Sequence, residues 1–185
     1  MTDLVELVRD RLRHRSAAVA PDGLRAAAVL VPIVVGPEGH SLLLTRRSAR
    51  LRRQPGDISF PGGAVDPLDE TPLATALRES REEVGLDSEA VTLLGQMDER
   101  STITGFRITP FVGAVRGPYA FRPNHEVEEL LEVPIDTLRD PKALTIERRR
   151  ISDDTLRNVY HYRYREHEIW GITGQLVRDF LDLID

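Results

Sequence analysis

The 185-residue chain contains no cysteine, which removes disulfides, thiolate zinc sites and cysteine nucleophiles together. It has no uncharged apolar run approaching the roughly 18 residues that read as a membrane span. Near its start, Asp3, Glu6 and Asp10 interrupt the apolar positions, so the basic-then-greasy order of a targeting leader is missing. Positive charge is also in deficit: 25 Lys plus Arg face 30 Asp plus Glu, a net charge of −5. Such a chain repels a polyanion unless cations are gathered locally or a metal intervenes. These absences read as a soluble, cytoplasmic protein that engages neither nucleic acid nor a membrane.

What is present suffices for a packed core. Hydrophobic residues make up 41% and charged residues 30%, outside the corner where chains stay disordered. The length suits one domain spanning residues 1–185. Leu4, Leu7, Val8 and Leu12 recur at helical spacing behind Thr2 as a cap, predicting a helical extension within residues 1–24. Strands are expected over residues 25–35 and 41–47, with Ile58-Ser59-Phe60 as a short third; residues 91–94, 104–115 and 159–164 read as further strands. Residues 134–139 and 173–184 read as helices. Helices interleaved with strands, some of them joined too tightly for a parallel crossover, predict an α/β fold with a mixed sheet between helices.

The best helical signal covers residues 71–84, with Thr71 as cap, Pro72 in the first turn and Gly85 as the stop. At about 100° per residue, Glu79, Glu82 and Glu83 share one stripe, while Leu73, Leu77 and Val84 form an apolar sector for burial. Clustered carboxylates are hard ligands suited to Mg²⁺ or Mn²⁺, which in turn hold phosphate. The alternative is a solvated face of ion pairs. Phe60-Pro61-Gly62-Gly63 just upstream favours the metal reading, because paired glycines let backbone approach a ligand closely.

Gly63, Glu70 and Arg78-Glu79-Ser80-Arg81-Glu82-Glu83-Val84-Gly85-Leu86 together resemble the Nudix box. Two departures stand out: six residues separate Gly63 from Glu70 where the box has five, and Ser80 replaces a bulky apolar residue. Strict counting lands on Asp69, so either acid fits the first position, with Glu70 preferred for its spacing to Arg78. Upstream, Leu43-Leu44-Thr45-Arg46-Arg47-Ser48, Arg52, Gly56 and Phe60-Pro61-Gly62-Gly63 are similar to the signature of the coenzyme A diphosphatase branch of Nudix hydrolases.

The resemblance implies an α/β/α sandwich whose box loop and helix occupy residues 62–86. It also implies metal-dependent hydrolysis of coenzyme A or an acyl derivative to 4′-phosphopantetheine and adenosine 3′,5′-bisphosphate. Another nucleoside diphosphate derivative, such as NADH or ADP-ribose, and a non-catalytic ligand-binding module are the alternatives. The implied partner is a small nucleotide, with a homodimer left open. Glu79, Glu82, Glu83 and the Gly63 carbonyl are the implied metal ligands, and Arg78 orients the carboxylates. Glu79 or Glu126 is the implied base, with Asp98, Glu99, Glu128 and Glu129 as further acids. Arg47, Arg52, Gly62 and Phe60 are the candidate substrate contacts, Phe60 having core packing as its other reading. Arg46, Arg47, Arg50, Arg52 and Arg53 form a cationic cluster. Trp170 is expected to pack at the start of the last helix. His14, His40, His125, His161 and His167 lack the spacing of a helical zinc pair and read as solvated or core.

Overall fold

A computed structural model describes residues 3–37, 39–51, 54–152 and 155–185. In chain order its first elements are α1 (Leu4–Arg13), β1 (Arg25–Gly36), β2 (Gly39–Arg47), β3 (Ile58–Ser59), β4 (Gly62–Ala64) and α2 (Pro72–Val84). β5 (Val91–Gln96), β6 (Arg100–Ser101), β7 (Phe106–Arg116), β8 (Val127–Pro134) and α3 (Ile135–Arg139) follow. The chain closes with β9 (Leu144–Ser152), β10 (Thr155–Tyr164), β11 (His167–Ile169) and α4 (Gly171–Ile184).

The sheet grows outward from β1, whose central run from Ala26 to Val35 is almost wholly apolar, as a strand covered on both faces must be. One edge of β1 pairs in parallel with β7 along its whole length. Its other edge pairs with β2 only near the connecting turn, then with β4 through Ala27, Ala28 and Val29. The sheet therefore forks: β1 and β2 part, and β3 and β4 fill the gap. The Leu30 N–H donates to the Pro61 carbonyl at 2.9 Å across it. β8 lines the far edge of β2, and β5 the far edge of β7. One parallel pair among antiparallel ones makes the sheet mixed, as expected.

Strand alternation assigns the two faces. Ala28, Leu30, Val34 and Leu43 pack beneath α2 with Ala76, Val84, Leu86, Phe111 and Val115. Val31, Ile33, Leu42 and Leu44 point the other way, into a core shared with Val8 and Leu12 of α1 and Leu176, Val177 and Phe180 of α4. Helix, sheet and helix are thus the three layers. The β9–β10–β11 sheet joins the second core through Tyr162 and Ile169. Among the described residues no helix is long and apolar enough to cross a membrane.

Several expectations need correction. Asp3 caps α1, its carboxylate accepting the Val5 N–H at 3.2 Å; the expected Thr2 lies outside the described residues. β8 and β9 are strands that the charged runs Glu128-Glu129 and Glu147-Arg148-Arg149-Arg150 obscure. In α2, Thr71 and Gly85 cap as expected: Thr71 Oγ1 accepts the Ala74 N–H at 3.1 Å, and Gly85 takes φ +66°. The buried seam, however, is Ala76, Ser80 and Val84, with Leu77 only half-buried. Small residues let the helix sit close to the sheet. The Ser80 hydroxyl donates to the Ala76 carbonyl at 2.7 Å, so a polar residue is tolerated where a bulky apolar one is usual.

Candidate active site

The fork delivers Gly62 and Gly63 to the flank of α2. The Gly62 N–H donates to Glu83 Oε2 at 3.2 Å. A Cβ on Gly63 would lie 2.7 Å from the carboxyl carbon of Glu79, so that carboxylate rests directly on the glycine backbone. Gly62 is equally constrained from behind: a Cβ there would run into the Ala28 carbonyl oxygen and come within 2.6 Å of Val29 Cα.

Arg78 organises the acids. Its Nε and Nη2 each donate to Asp69 at 3.0 Å, and its Nη1 lies 2.9 Å from Glu79 Oε1 and 3.2 Å from Glu82 Oε2. Asp69 also accepts from Thr75 Oγ1 at 2.8 Å and from the Asp66 N–H at 3.1 Å. Asp69, not the preferred Glu70, therefore fills the first acidic position of the box, and Glu70 is exposed. The five-residue spacing from Gly63 is kept, and the extra residue falls between Asp69 and Arg78.

Opposite α2 stand Arg47, on the α2-facing side of β2, and Glu126, in the loop before β8. Arg47 Nη1 lies 3.7 Å from Glu83 Oε1, and its Nη2 lies 3.9 Å from Glu126 Oε2. The buried Arg47 Nε has no hydrogen-bond partner. Asn124 sets the loop: its N–H donates to the Glu83 carbonyl at 2.9 Å, and its Oδ1 accepts the Glu126 N–H at 2.8 Å. The Ser48 N–H donates to the Glu126 carbonyl at 2.7 Å. The loop is thereby clipped to the last turn of α2 and to the end of β2. Neither Asn124 nor Thr75 was marked by the sequence, because each acts through a contact that folding creates.

The electrostatics follow burial. Desolvation pushes the Glu83 carboxyl up to about 7, against the opposing pull of the Gly62 N–H and Arg47. Burial also raises Glu79, with Arg78 opposing. The Arg78 hydrogen bonds hold Asp69 well below the usual carboxylate range.

Other sequence-derived candidates are placed elsewhere. Phe60 is 2% exposed within the core around Leu44 and Ile58, so it offers no face to a ligand and the packing reading holds. Glu82 does not share the buried position of Glu83: its side chain is 56% exposed and leans on Arg78 at the rim. Arg52 and Arg53 lie outside the described residues. The arginines do not form one patch, since strand alternation turns Arg46 to the face opposite Arg47, where it pairs with Glu128 at 3.3 Å and Glu129 at 3.0 Å. Asp98 is held by Arg15 and the Ala18 N–H, and Glu99 by Thr109 and the Ala20 N–H. Trp170 precedes α4 and stacks on His161, ring centroids 6.0 Å apart.

The donors fit a hard divalent cation at Glu79 and Glu83. Two carboxylates, one deeply buried and resisting ionisation, face a glycine bend with Arg47 as the nearest cation across from Glu83. Glu79, Glu82 and Glu83 do not converge on one tight centre. Among the described residues the acids and histidines whose ligand atoms all lie within 4.8 Å are Glu129, Glu166 and His167, away from the box.

A profile of the NUDIX domain matches residues 24–155. The chain is 42% identical over 157 residues to a Pectobacterium atrosepticum protein named uncharacterized Nudix hydrolase NudL, covering 83% of this chain and 79% of that one. A protein of the same name from Yersinia enterocolitica is 42% identical over 154 residues, covering 82% and 77%. Among solved structures, a Nudix hydrolase from M. smegmatis, RenU, superimposes with a TM-score of 0.54 at 28% identity over 68% of this chain and 84% of that one. A C. elegans Ap4A hydrolase binary complex gives a TM-score of 0.53 at 22% identity, covering 60% and 80%, a likeness of fold alone. Similarity over most of both chains, in sequence as well as in fold, gives the conclusion: this chain belongs to the Nudix family.

Proposed function

We propose that this chain hydrolyses the diphosphate bond of coenzyme A or an acyl derivative, releasing adenosine 3′,5′-bisphosphate and 4′-phosphopantetheine or its acyl form, and that residues 1–185 act as one unit. The observation that carries the hydrolase reading is the buried Glu83, one oxygen on the Gly62 N–H and the other turned toward Arg47. A carboxylate so placed is costly without a cation and useful with one. Glu79 and Glu83 would hold Mg²⁺ or Mn²⁺, with Glu82 at the rim; the Gly63 carbonyl, expected beside them, is instead turned toward Ala28 in the β1–β4 ladder. Bound there, the ion supplies positive charge to the diphosphate and acidifies water.

The chain's own groups do the rest. Arg78, anchored by Asp69, fixes the Glu79 carboxylate through a charge-assisted hydrogen bond. Arg47 engages the nucleotide phosphates; both its ion-pair contacts exceed hydrogen-bond length, which leaves its donors available. Glu126, on a clipped loop and partly open to solvent, takes the proton of the attacking water at a carboxylate oxygen. Water oxygen bonds to one phosphorus, the bridging P–O bond breaks, and the bridging oxygen leaves with the other phosphate. The coenzyme A assignment rests on the motif running from Leu43 to Gly63, which ends in the bend against α2.

Incubation with Mg²⁺ or Mn²⁺ and coenzyme A, acetyl-coenzyme A, NADH, ADP-ribose or dinucleoside polyphosphates, with products identified by mass, tests the proposal. Adenosine 3′,5′-bisphosphate from the first two supports it. Turnover of the others alone refutes the substrate, and turnover of none refutes the activity.

A further inference from the structure

The opposite face of the sheet carries a second constellation that the diphosphatase reading does not use. His167 opens β11 and is 9% exposed, yet its buried Nε2 has no hydrogen-bond partner. That nitrogen lies near two carboxylate oxygens, Glu129 Oε1 on β8 at 3.4 Å and Glu166 Oε1 in the β10–β11 turn at 3.7 Å. All three atoms lie within 4.8 Å of one another. We propose that Glu129, Glu166 and His167 form an accessory site for a late first-row divalent ion of the zinc class, fastening the β10–β11 turn to β8.

The separations carry the argument. They do not make hydrogen bonds, but ligands about 2.1 Å from a tetrahedral ion stand about 3.4 Å from each other. A buried imidazole nitrogen left without a partner is destabilising, and coordination would remove that penalty. One nitrogen with two carboxylate oxygens suits Zn²⁺ and its neighbours better than Mg²⁺ or Ca²⁺, which prefer oxygen throughout. Two carboxylates balance a dication, and water completes the shell.

The ligands are held in advance. Glu129 Oε2 accepts from Arg46 Nε at 3.0 Å, which leaves Oε1 free to face His167. Such outer contacts orient metal ligands and sharpen affinity. His167 is fixed opposite Tyr164 in the β10–β11 ladder, and Arg165 takes φ +54° in the turn that presents Glu166. Two cations, Arg163 and Arg165, line the depression around the site. The Arg165 guanidinium lies over the Tyr164 ring, 5.0 Å from its centroid. Arg163 stands opposite Glu168 in the ladder, one step from the Tyr164–His167 pair.

The competing arrangement is an imidazolium lodged between two carboxylates, with no metal. Chelator-treated full-length protein carrying Glu83→Gln, to weaken the box, is titrated with Zn²⁺ by equilibrium dialysis and with Co²⁺ by visible absorption. The histidine ring resonances are followed by NMR. The expected result is one ion per chain that excess Mg²⁺ does not displace, and a metal-dependent shift at His167. His167→Gln should abolish that binding, and the turn substitution Glu166→Gln should weaken it at least roughly tenfold. Should the buried His167→Gln chain fail to fold, the exposed Glu166→Gln variant decides. Absence of Zn²⁺ binding, or binding untouched by these substitutions, overturns the site.

Discussion

Adjacent glycines in the bend should fail in different ways, and the contrast tests the site geometry directly. In Gly63→Ala the new methyl would meet the Glu79 carboxyl carbon at 2.7 Å, against an ordinary contact of 3.4 Å, so the carboxylate must retreat by about 0.7 Å. Glu79 is the end of a flexible side chain, so the fold can give way cheaply. Its carboxylate then leaves the position that Arg78 and the bend define. Catalytic groups tolerate about 0.5 Å of misplacement, and a 1 Å error costs about 100-fold. Gly63→Ala should therefore keep its melting temperature and lose roughly 10- to 100-fold in kcat. Gly62→Ala meets the backbone of Ala28 and Val29 instead, at φ +155°. Overpacking and backbone strain there cost on the order of 3 kcal/mol, or about 6–12 °C in melting temperature. Circular-dichroism melts and steady-state turnover with Mn²⁺ measure both. A Gly63→Ala enzyme with native kcat, or one as unstable as Gly62→Ala, would refute the reasoning.

Other substitutions probe individual contacts. Glu83→Gln should reduce metal-stimulated turnover by more than the roughly 10- to 100-fold typical of losing an outer contact, measured on saturating coenzyme A. Arg47→Lys keeps the charge but loses the planar fork, so KM should rise about tenfold with kcat less affected. Asp69→Asn should release Arg78 and slow turnover, whereas Glu70→Gln should not. Because the folded state holds the Asp69 carboxyl low, its stabilisation is complete above the unfolded value near pH 4 and drains away as pH falls below that. The stability gap between wild type and Asp69→Asn in urea should therefore narrow between about pH 5 and pH 2. Leu30→Ala, in the core beneath α2, should cost about 2–5 kcal/mol by the same denaturation measurement.

How far the sequence reveals this molecule depends on where each signal resides. α2 was legible because Thr71, Pro72 and Gly85 act locally, and β1 because its apolar run is unbroken. β8 and β9 were not, since Glu and Arg runs mask an alternation that only pairing makes visible. The box glutamates were found by spacing, but spacing does not show that Glu83 is buried while Glu82 leans outward. Asp69 displaced Glu70 because a bidentate contact to Arg78 depends on the path of the loop. His167 looked inert for the same reason: Glu129, which faces it beside the adjacent Glu166, comes from a distant stretch of chain.

The parallel pairing of β1 with β7 has a consequence for synthesis. Arg25 lies opposite Phe106, 81 positions later, and the register continues from there. No tight turn can join parallel strands, so the longest ladder closes only after the whole segment between them has been made. Contacts of such high sequence separation slow folding. A nascent chain halted before Phe106 would display its greasiest strand with one edge bare, a template for aggregation that ribosome-associated chaperones would have to cover.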